Sequence, residues 1–166
     1  VPQSAASSAA SEATTGNIDI QTSAGTLTLD SAGNPTNVVS TLLTGTITLN
    51  AVGSASDIIV NDRISSATGT IILTADNDIT FAAEGDITST SGNISVTADS
   101  DVIDDDPIGG AITMANGALI NAGSALIALT ADENIAVGGL LTTSESDTSV
   151  TLTSVSGGVI DAGDSD

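Results

Sequence analysis

Five residue types on which many enzymes depend are missing from this chain. The 166-residue sequence contains no Cys, His, Lys, Tyr or Trp. A Ser-His-Asp triad, a thiol nucleophile, a lysine Schiff base and a tyrosine nucleophile are therefore excluded within the chain. The lysine of a phosphate-binding P-loop is also missing. Only carboxylate chemistry remains, and we expect a protein that is not an enzyme.

Positive charge is almost absent as well. The sequence has 21 acidic residues against one basic residue, Arg63, which gives a net charge of −20. Proteins that bind nucleic acids or anionic membrane surfaces do so largely through Lys and Arg, so we expect neither partner. No apolar run approaches the roughly 18 residues of a membrane span, which predicts no membrane insertion. Without cysteine there is no disulfide and no thiolate metal site, so the small partners that fit this composition are hard cations.

A short repeat provides the first positive signal. The tripeptide Thr-Ala-Asp occurs at Thr74–Asp76, Thr97–Asp99 and Thr130–Asp132, and the copies follow each other after 23 and 33 residues. A recurring period of about 20 to 50 residues is typical of stacked repeat architectures. Each copy ends a short segment in which aliphatic and polar residues alternate. The repeat therefore predicts a solenoid built from β coils.

Six segments align as the first strand of a coil. In each of them the third and fifth residues are aliphatic and the fourth is mostly polar or small, as expected for a strand with one buried face. The pattern also appears at Gly16–Ile20, which we interpret as the last side of an incomplete coil or as an entry cap. Segment starts are separated by 20, 24, 23, 33 and 23 residues, and they lie at Gly25, Gly45, Gly69, Gly92, Ala125 and Thr148.

A second and a third strand follow in most coils, joined by Gly, Asn, Asp and Ser corners, which predicts a triangular coil. The expected fold is an all-β, right-handed parallel β-helix of about six coils with roughly 23 residues per coil. Six aliphatic residues should form two stacked core columns: Ile71, Leu73, Ile94, Val96, Ile127 and Leu129. Second strands are expected at Asp57–Val60, Asp78–Phe81, Asp101–Ile103, Asn134–Val137 and Gly158–Ile160. Third strands are expected near Arg63–Ile64, Asp86–Thr88, Ala118–Ile120 and Leu140–Thr142.

The sequence divides into two parts. Residues 1–15 are rich in Ser, Ala and Thr and form either a linker or an arm that becomes ordered on a neighbouring subunit. Residues 16–166 form the solenoid domain. Residues 157–166 stop within a coil and contain no polar capping element, and an exposed strand edge can pair with another chain. We therefore expect self-association into a head-to-tail filament.

Acidic residues recur at one corner of successive coils. Asp and Asn favour turns because they bond the nearby backbone, and this alone accounts for such a pattern. Alternatively, a donor set of oxygen atoms without soft ligands suits Ca²⁺, although no cofactor is required for the fold. The loop Asp104–Gly110, inserted into the longest coil, adds further carboxylates. The candidate calcium ligands are Asp76, Asp78, Asp99, Asp101, Asp104, Asp105, Asp106 and Asp132.

The strings Gly69–Thr80 and Gly157–Asp161 resemble the repeats of filamentous-haemagglutinin-type bacterial surface adhesins and giant secreted repeat proteins. The resemblance implies a right-handed parallel β-helix in a secreted, extracellular or cell-surface fibre or stalk. It also implies surface glycans or host and cell surfaces as possible partners.

Two functions are consistent with these features. The first is an extracellular structural or adhesive β-solenoid, a subunit or segment of a fibre that stacks end to end. The alternative is a parallel β-helix that binds or cleaves carbohydrate, since paired carboxylates can hydrolyse glycosides. The alternative requires a groove with clustered polar and aromatic residues, whereas the chain has one Arg and one Phe.

Overall fold

The protein is a stack of β coils with three parallel sheets. The computed structural model describes residues 5–7, 11–31, 38–99 and 109–163, with side chains from residue 12 onward. Every element in these ranges is a strand, and none of them contains a helix long and apolar enough to cross a membrane. All strand pairs within the sheets are parallel, so the predicted parallel β-helix is confirmed.

The chain visits the three sheets in a fixed order. The first sheet contains the five-residue strands β3 (Ile18–Thr22), β6 (Ile47–Ala51), β9 (Ile71–Ala75), β12 (Ile94–Ala98), β15 (Ile127–Ala131) and β18 (Val150–Ser154). The second contains β1 (Ala5–Ser7), β4 (Leu27–Leu29), β7 (Ile58–Val60), β10 (Ile79–Phe81), β13 (Ile112–Met114), β16 (Ile135–Val137) and β19 (Val159–Asp161). The third contains β2 (Ser11–Ala13), β5 (Val39–Thr41), β8 (Ile64–Ser66), β11 (Ile87–Ser89), β14 (Leu119–Asn121) and β17 (Gly139–Leu141).

The core consists of aliphatic columns that run along the stack. Ile71 pairs with Ile94, and Ile94 pairs with Ile127, so equivalent residues lie directly above one another. Burial of each such side chain contributes roughly 1.5–3 kcal/mol, which allows a narrow core without large residues. The six predicted core residues are at most 1% exposed, which confirms the two columns: Ile71, Leu73, Ile94, Val96, Ile127 and Leu129.

The only aromatic side chain is part of this core. Phe81 in β10 is fully buried and pairs with Val60 on one side and Met114 on the other. Phe81 and the only methionine of the chain, Met114, are thus neighbours in one column of the second sheet. The surface of the rod has no aromatic group as a result.

The prediction for the first coil was wrong. Ile18 pairs with Ile47 in the first sheet, whereas Leu27 pairs with Ile58 in the second. Gly25–Leu29 therefore does not begin a coil in the first sheet, and Gly16–Ile20 is not an entry cap but contains β3, the first-sheet strand that follows β1 and β2. Both segments follow a glycine and alternate in the same way. Alternation reports which side of a strand is buried, but it does not report which sheet the strand joins.

The longest coil carries its insertion at one corner. The second strand expected at Asp101–Ile103 falls outside the described residues, and Ile112–Met114 occupies the place beside β10 in the second sheet. In the sequence, the additional residues of this coil therefore fall between β12 of the first sheet and β13 of the second sheet. This is the coil that was predicted to contain the acidic loop.

Six residues of the segment predicted as an arm or linker are strands. Ala5–Ser7 pairs with Leu27–Leu29, and Ser11–Ala13 pairs with Val39–Thr41. These strands extend the second and third sheets by one member each. Because they consist of Ala, Ser and Glu, they lack the aliphatic alternation that identifies the other strands.

Candidate functional site at the acidic corner

Acidic residues collect where the chain turns from the first sheet to the second. Asp76 and Asp78 lie between β9 and β10, Asp99 follows β12, and Asp132 follows β15. The structure thus places these four predicted residues at the same corner of successive coils. The other four candidates are outside the described residues: Asp101, Asp104, Asp105 and Asp106.

Asp76 and Asp78 bind backbone amides of the coils on either side. The Oδ2 atom of Asp76 accepts a hydrogen bond from the N–H of Gly53 in the preceding coil, at 2.6 Å. The Oδ1 atom of Asp78 accepts one from the N–H of Ala111 in the following coil, at 2.8 Å. Hydrogen bonds to ionised acceptors are stronger than neutral ones, so these two carboxylates help to hold three coils together.

Asp132 makes a similar connection further along the stack. The hydroxyl of Ser156, in the following coil, lies 3.0 Å from the Oδ2 atom of Asp132 and 2.9 Å from the backbone oxygen of Asp132.

Asp99 differs from the other acidic residues of the corner in its backbone conformation, since its φ is +54°. Asp is one of the few residues other than Gly that adopts this left-handed conformation readily, which suits the start of a turn.

Asp57 also belongs to this corner and accepts three side-chain or backbone hydrogen bonds, although it is not among the predicted calcium ligands. Its Oδ1 atom accepts hydrogen bonds from the Nδ2 of Asn77 at 2.7 Å and from the N–H of Asp78 at 3.2 Å. Its Oδ2 atom accepts one from the hydroxyl of Thr26 at 3.3 Å. Asp57 therefore links its own coil to both neighbours. Its position directly before the aliphatic strand Ile58–Val60 was the available signal.

In each of the three sheets, Asn or Asp occurs at the position directly before the first core residue of a strand. In six cases, the side-chain oxygen of the residue before the first core residue accepts a hydrogen bond from the N–H of the equivalent residue in the next coil. Five of these N–H groups belong to the residue just before a strand, and the sixth belongs to Leu119, the first residue of β14. The six pairs, at 2.8–3.2 Å, are Asn17 with Thr46, Asp57 with Asp78, Asp78 with Ala111, Asp86 with Leu119, Asn93 with Leu126 and Asn134 with Gly158.

The single basic side chain is also used between coils. Arg63 lies 3.3 Å from Asp86 Oδ2, and the other oxygen of Asp86 accepts the hydrogen bond from Leu119 at 3.0 Å. The Arg63 side chain is 55% exposed, so the ion pair contributes little to stability. Its main consequence is that the one cationic side chain of the protein already faces a carboxylate.

The corner does not bring three acidic side chains within reach of one cation among the described residues. Its carboxylates are instead distributed along the stack, where each connects neighbouring coils. Asn77, which lies between Asp76 and Asp78 in the sequence, has a buried Oδ1 atom that accepts no hydrogen bond. The calcium prediction stays a prediction, since four of its eight ligands belong to the part of the chain that the structure does not describe.

A shallow depression lies at the same corner, near the first coils. It has a volume of about 320 Å³ and is lined by Ala24, Gly25 and residues 53–56, which are Gly, Ser and Ala. This lining offers hydroxyl and backbone groups without a charged or aromatic side chain.

Comparison with protein-family models, with characterised proteins and with solved structures found no match for this chain.

Proposed function

We propose that this protein is an extracellular structural or adhesive solenoid, a rod segment of a secreted or cell-surface fibre that joins end to end with further coils. The observation that carries the proposal is the uninterrupted stack, in which three parallel sheets enclose one aliphatic core. At about 4.8 Å per coil, six coils span about 30 Å. A fibre requires length and a regular cross-section, and this architecture provides both.

The surface supports the same proposal. Four carboxylates of the acidic corner connect successive coils through hydrogen bonds: Asp57, Asp76, Asp78 and Asp132. A net charge of −20 favours solubility and keeps the sides of neighbouring rods apart. The resemblance of Gly69–Thr80 to the repeats of filamentous-haemagglutinin-type adhesins agrees with a location outside the cell.

A carbohydrate-binding or carbohydrate-cleaving module is less well supported. Sugar rings are commonly held by exposed aromatic faces and by charged or amide side chains in a groove. The only aromatic residue, Phe81, is fully buried, and the only basic side chain, Arg63, faces Asp86. The depression near Gly53 contains neither group.

Location is the most direct test of the proposed function. Antibodies raised against the purified chain should label the outer surface of producing cells, or secreted filaments, in immunogold electron micrographs. A pre-immune serum and cells that lack the gene are the controls. Labelling confined to the cell interior would contradict the proposal. Release of reducing sugar from surface polysaccharide by the purified protein would favour the carbohydrate module instead.

A further inference from the structure

Only one asparagine of the chain, Asn116, is directly followed by glycine. Asn116 and Gly117 form the middle of the turn between β13 and β14, and both residues are exposed. The N–H of Ala118 donates a hydrogen bond to the backbone oxygen of Ala115 at 3.0 Å, which closes the turn. Gly117 has a φ of +99°, a conformation that glycine adopts readily. The pair therefore lies in a surface turn, outside the strand ladders.

The atoms of this pair that can react with each other are not engaged elsewhere. Among the described residues, neither the side chain of Asn116 nor the N–H of Gly117 makes a hydrogen bond. The Cγ atom of an asparagine amide is electrophilic, and the backbone nitrogen of the next residue can attack it to close a five-membered ring. Glycine favours this closure, because it has no Cβ atom to obstruct the approach and its backbone rotates easily.

The other asparagine side chains that the structure describes are held in place. Asn50 lies inside β6, where rotation of the backbone would break the pairing with β3 and β9. The remaining six take part in hydrogen bonds: Asn17, Asn61, Asn77, Asn93, Asn121 and Asn134. Each of these seven asparagines is also followed by a residue with a side chain. Among the described asparagines, only Asn116 combines a free amide, a free N–H in the next residue and a following glycine.

We propose that Asn116 is a site of spontaneous modification, at which the side-chain amide is lost and aspartate or isoaspartate is formed. The Gly117 nitrogen forms a bond to Cγ of Asn116, the bond from Cγ to Nδ2 breaks, and ammonia leaves with the proton of the Gly117 N–H. Water then opens the cyclic imide. Attack of water at Cγ leaves aspartate, whereas attack at the main-chain carbonyl carbon leaves isoaspartate, in which the chain continues through Cγ. No atom is oxidised or reduced, and water is the only co-reactant.

The two products have different consequences for the fold. Aspartate leaves the main chain unchanged and, like asparagine, favours turns. Isoaspartate lengthens the main chain by one methylene group inside the turn that Ala115 and Ala118 close. Ala118 is buried, and Ile120, two residues further on, belongs to the core. The longer main chain therefore disturbs the entry of β14 into the stack.

Incubation of the purified chain at mildly alkaline pH, below its unfolding temperature, tests this assignment. Each conversion adds a negative charge, so anion-exchange chromatography separates the products from the starting protein. Mass spectrometry of peptic peptides locates the change, and electron-transfer fragmentation distinguishes isoaspartate from aspartate. Asn116 should lose its amide at least about tenfold faster than any other asparagine, because only there can the reacting atoms meet without breaking native contacts. Asn116→Gln cannot close the same ring and should form no early product.

A second Asn-Gly pair shows whether the folded structure sets this rate. Ala122→Gly places glycine after Asn121, whose side-chain oxygen accepts a hydrogen bond from the N–H of Gly123. Position 122 is fully buried, and its N–H donates to the backbone oxygen of Leu141 at 3.0 Å. Asn121 in this variant should convert at least about tenfold more slowly than Asn116 in the same molecule. Circular dichroism checks the fold of the variant, and in unfolding concentrations of urea the two pairs should convert at similar rates.

Stability provides a further readout. The isoaspartyl fraction should unfold at a lower urea concentration than the starting protein, whereas Asn116→Asp should have the urea midpoint of the wild type. The proposal is overturned if Asn116 keeps its amide in the folded chain, if another asparagine loses its amide first, or if Asn121 in folded Ala122→Gly reacts as fast as Asn116. The proposal does not depend on the proposed function, and none of these results affects the surface labelling of producing cells.

Discussion

The Asp78 carboxylate accepts a hydrogen bond through Oδ1 from the backbone N–H of Ala111, and the two atoms are 2.8 Å apart. The two residues are 33 positions apart in the sequence, and Ala111 immediately precedes β13. The contact therefore joins equivalent positions of two successive coils across the longest separation between coils in the sequence. It also fixes the place at which the chain returns to the second sheet after the acidic insertion.

Removal of this acceptor should destabilise the fold. Asp78→Ala leaves the N–H of Ala111 without its side-chain partner, and loss of a hydrogen bond to a charged group costs about 1.5–3 kcal/mol, less where water can replace it. We expect a lower free energy of unfolding in urea with an unchanged slope. Asp78→Asn retains an oxygen acceptor at the same position and should lose much less. Equal losses for Asn and Ala would show that charge, and not the accepted hydrogen bond, is what matters at this position.

A column of glycines at the corner between the third and first sheets allows the coils to approach closely. A Cβ atom added at Gly69 would overlap the backbone oxygen of Gly45 in the preceding coil. Gly69→Ala should therefore lower stability by about 1–3 kcal/mol, the usual cost of overpacking. The urea midpoint measures the change.

Gly16 provides a matched control for that substitution. It belongs to the same column in the first coil, but a Cβ atom added there meets no other atom within 4 Å. Gly16→Ala should leave the urea midpoint close to that of the wild type. If both substitutions have the same effect, the close approach at Gly69 is not the cause of the loss.

Much of the fold could be predicted because alternation and period are encoded locally. The core-facing residues Ile71, Ile94 and Ile127 follow a pattern that is visible without long-range information, and all three are buried as expected. The assignment of Leu27 to a sheet could not be predicted in the same way. Gly16–Ile20 and Gly25–Leu29 alternate in the same way, so the pattern alone does not show which of them pairs with β6 in the first sheet. That assignment depends on how the whole coil stacks on the next one.

The acidic corner was predicted in position but not in detail. The sequence indicates that Asp76, Asp78 and Asp132 follow one another at a corner. It does not indicate that Asp57 binds Thr26, Asn77 and Asp78, because these contacts depend on the register between coils. The strands Ala5–Ser7 and Ser11–Ala13 were still harder to predict, because Ala and Ser side chains are too small to produce a clear alternation of apolar and polar residues.

The core column through Ile94 should not tolerate a charge. Ile94 is 1% exposed and lies between Ile71 and Ile127, so a carboxylate there would have no partner and no water. Ile94→Asp is expected to abolish the cooperative β fold, because burial of an unpaired charge costs several kcal/mol. Ser95→Asp introduces the same charge on the outward side of the same strand and should remain folded by circular dichroism. A folded Ile94→Asp protein would contradict the assignment of this column to the core.

Calcium should stabilise the protein more than ionic strength alone. A net charge of −20 opposes the compact state, and any salt reduces this repulsion by screening. Carboxylate oxygens bind Ca²⁺ in addition, and the candidates that lie closest together in the sequence are Asp99, Asp101 and the triplet Asp104–Asp106. We expect CaCl₂ to raise the melting temperature more than NaCl and MgCl₂ at equal ionic strength. Replacing all three residues of the triplet by Asn should remove that difference while leaving the response to NaCl in place. If the wild-type chain responds equally to the three salts, screening explains the whole effect and the acidic corner serves only to tie coils together.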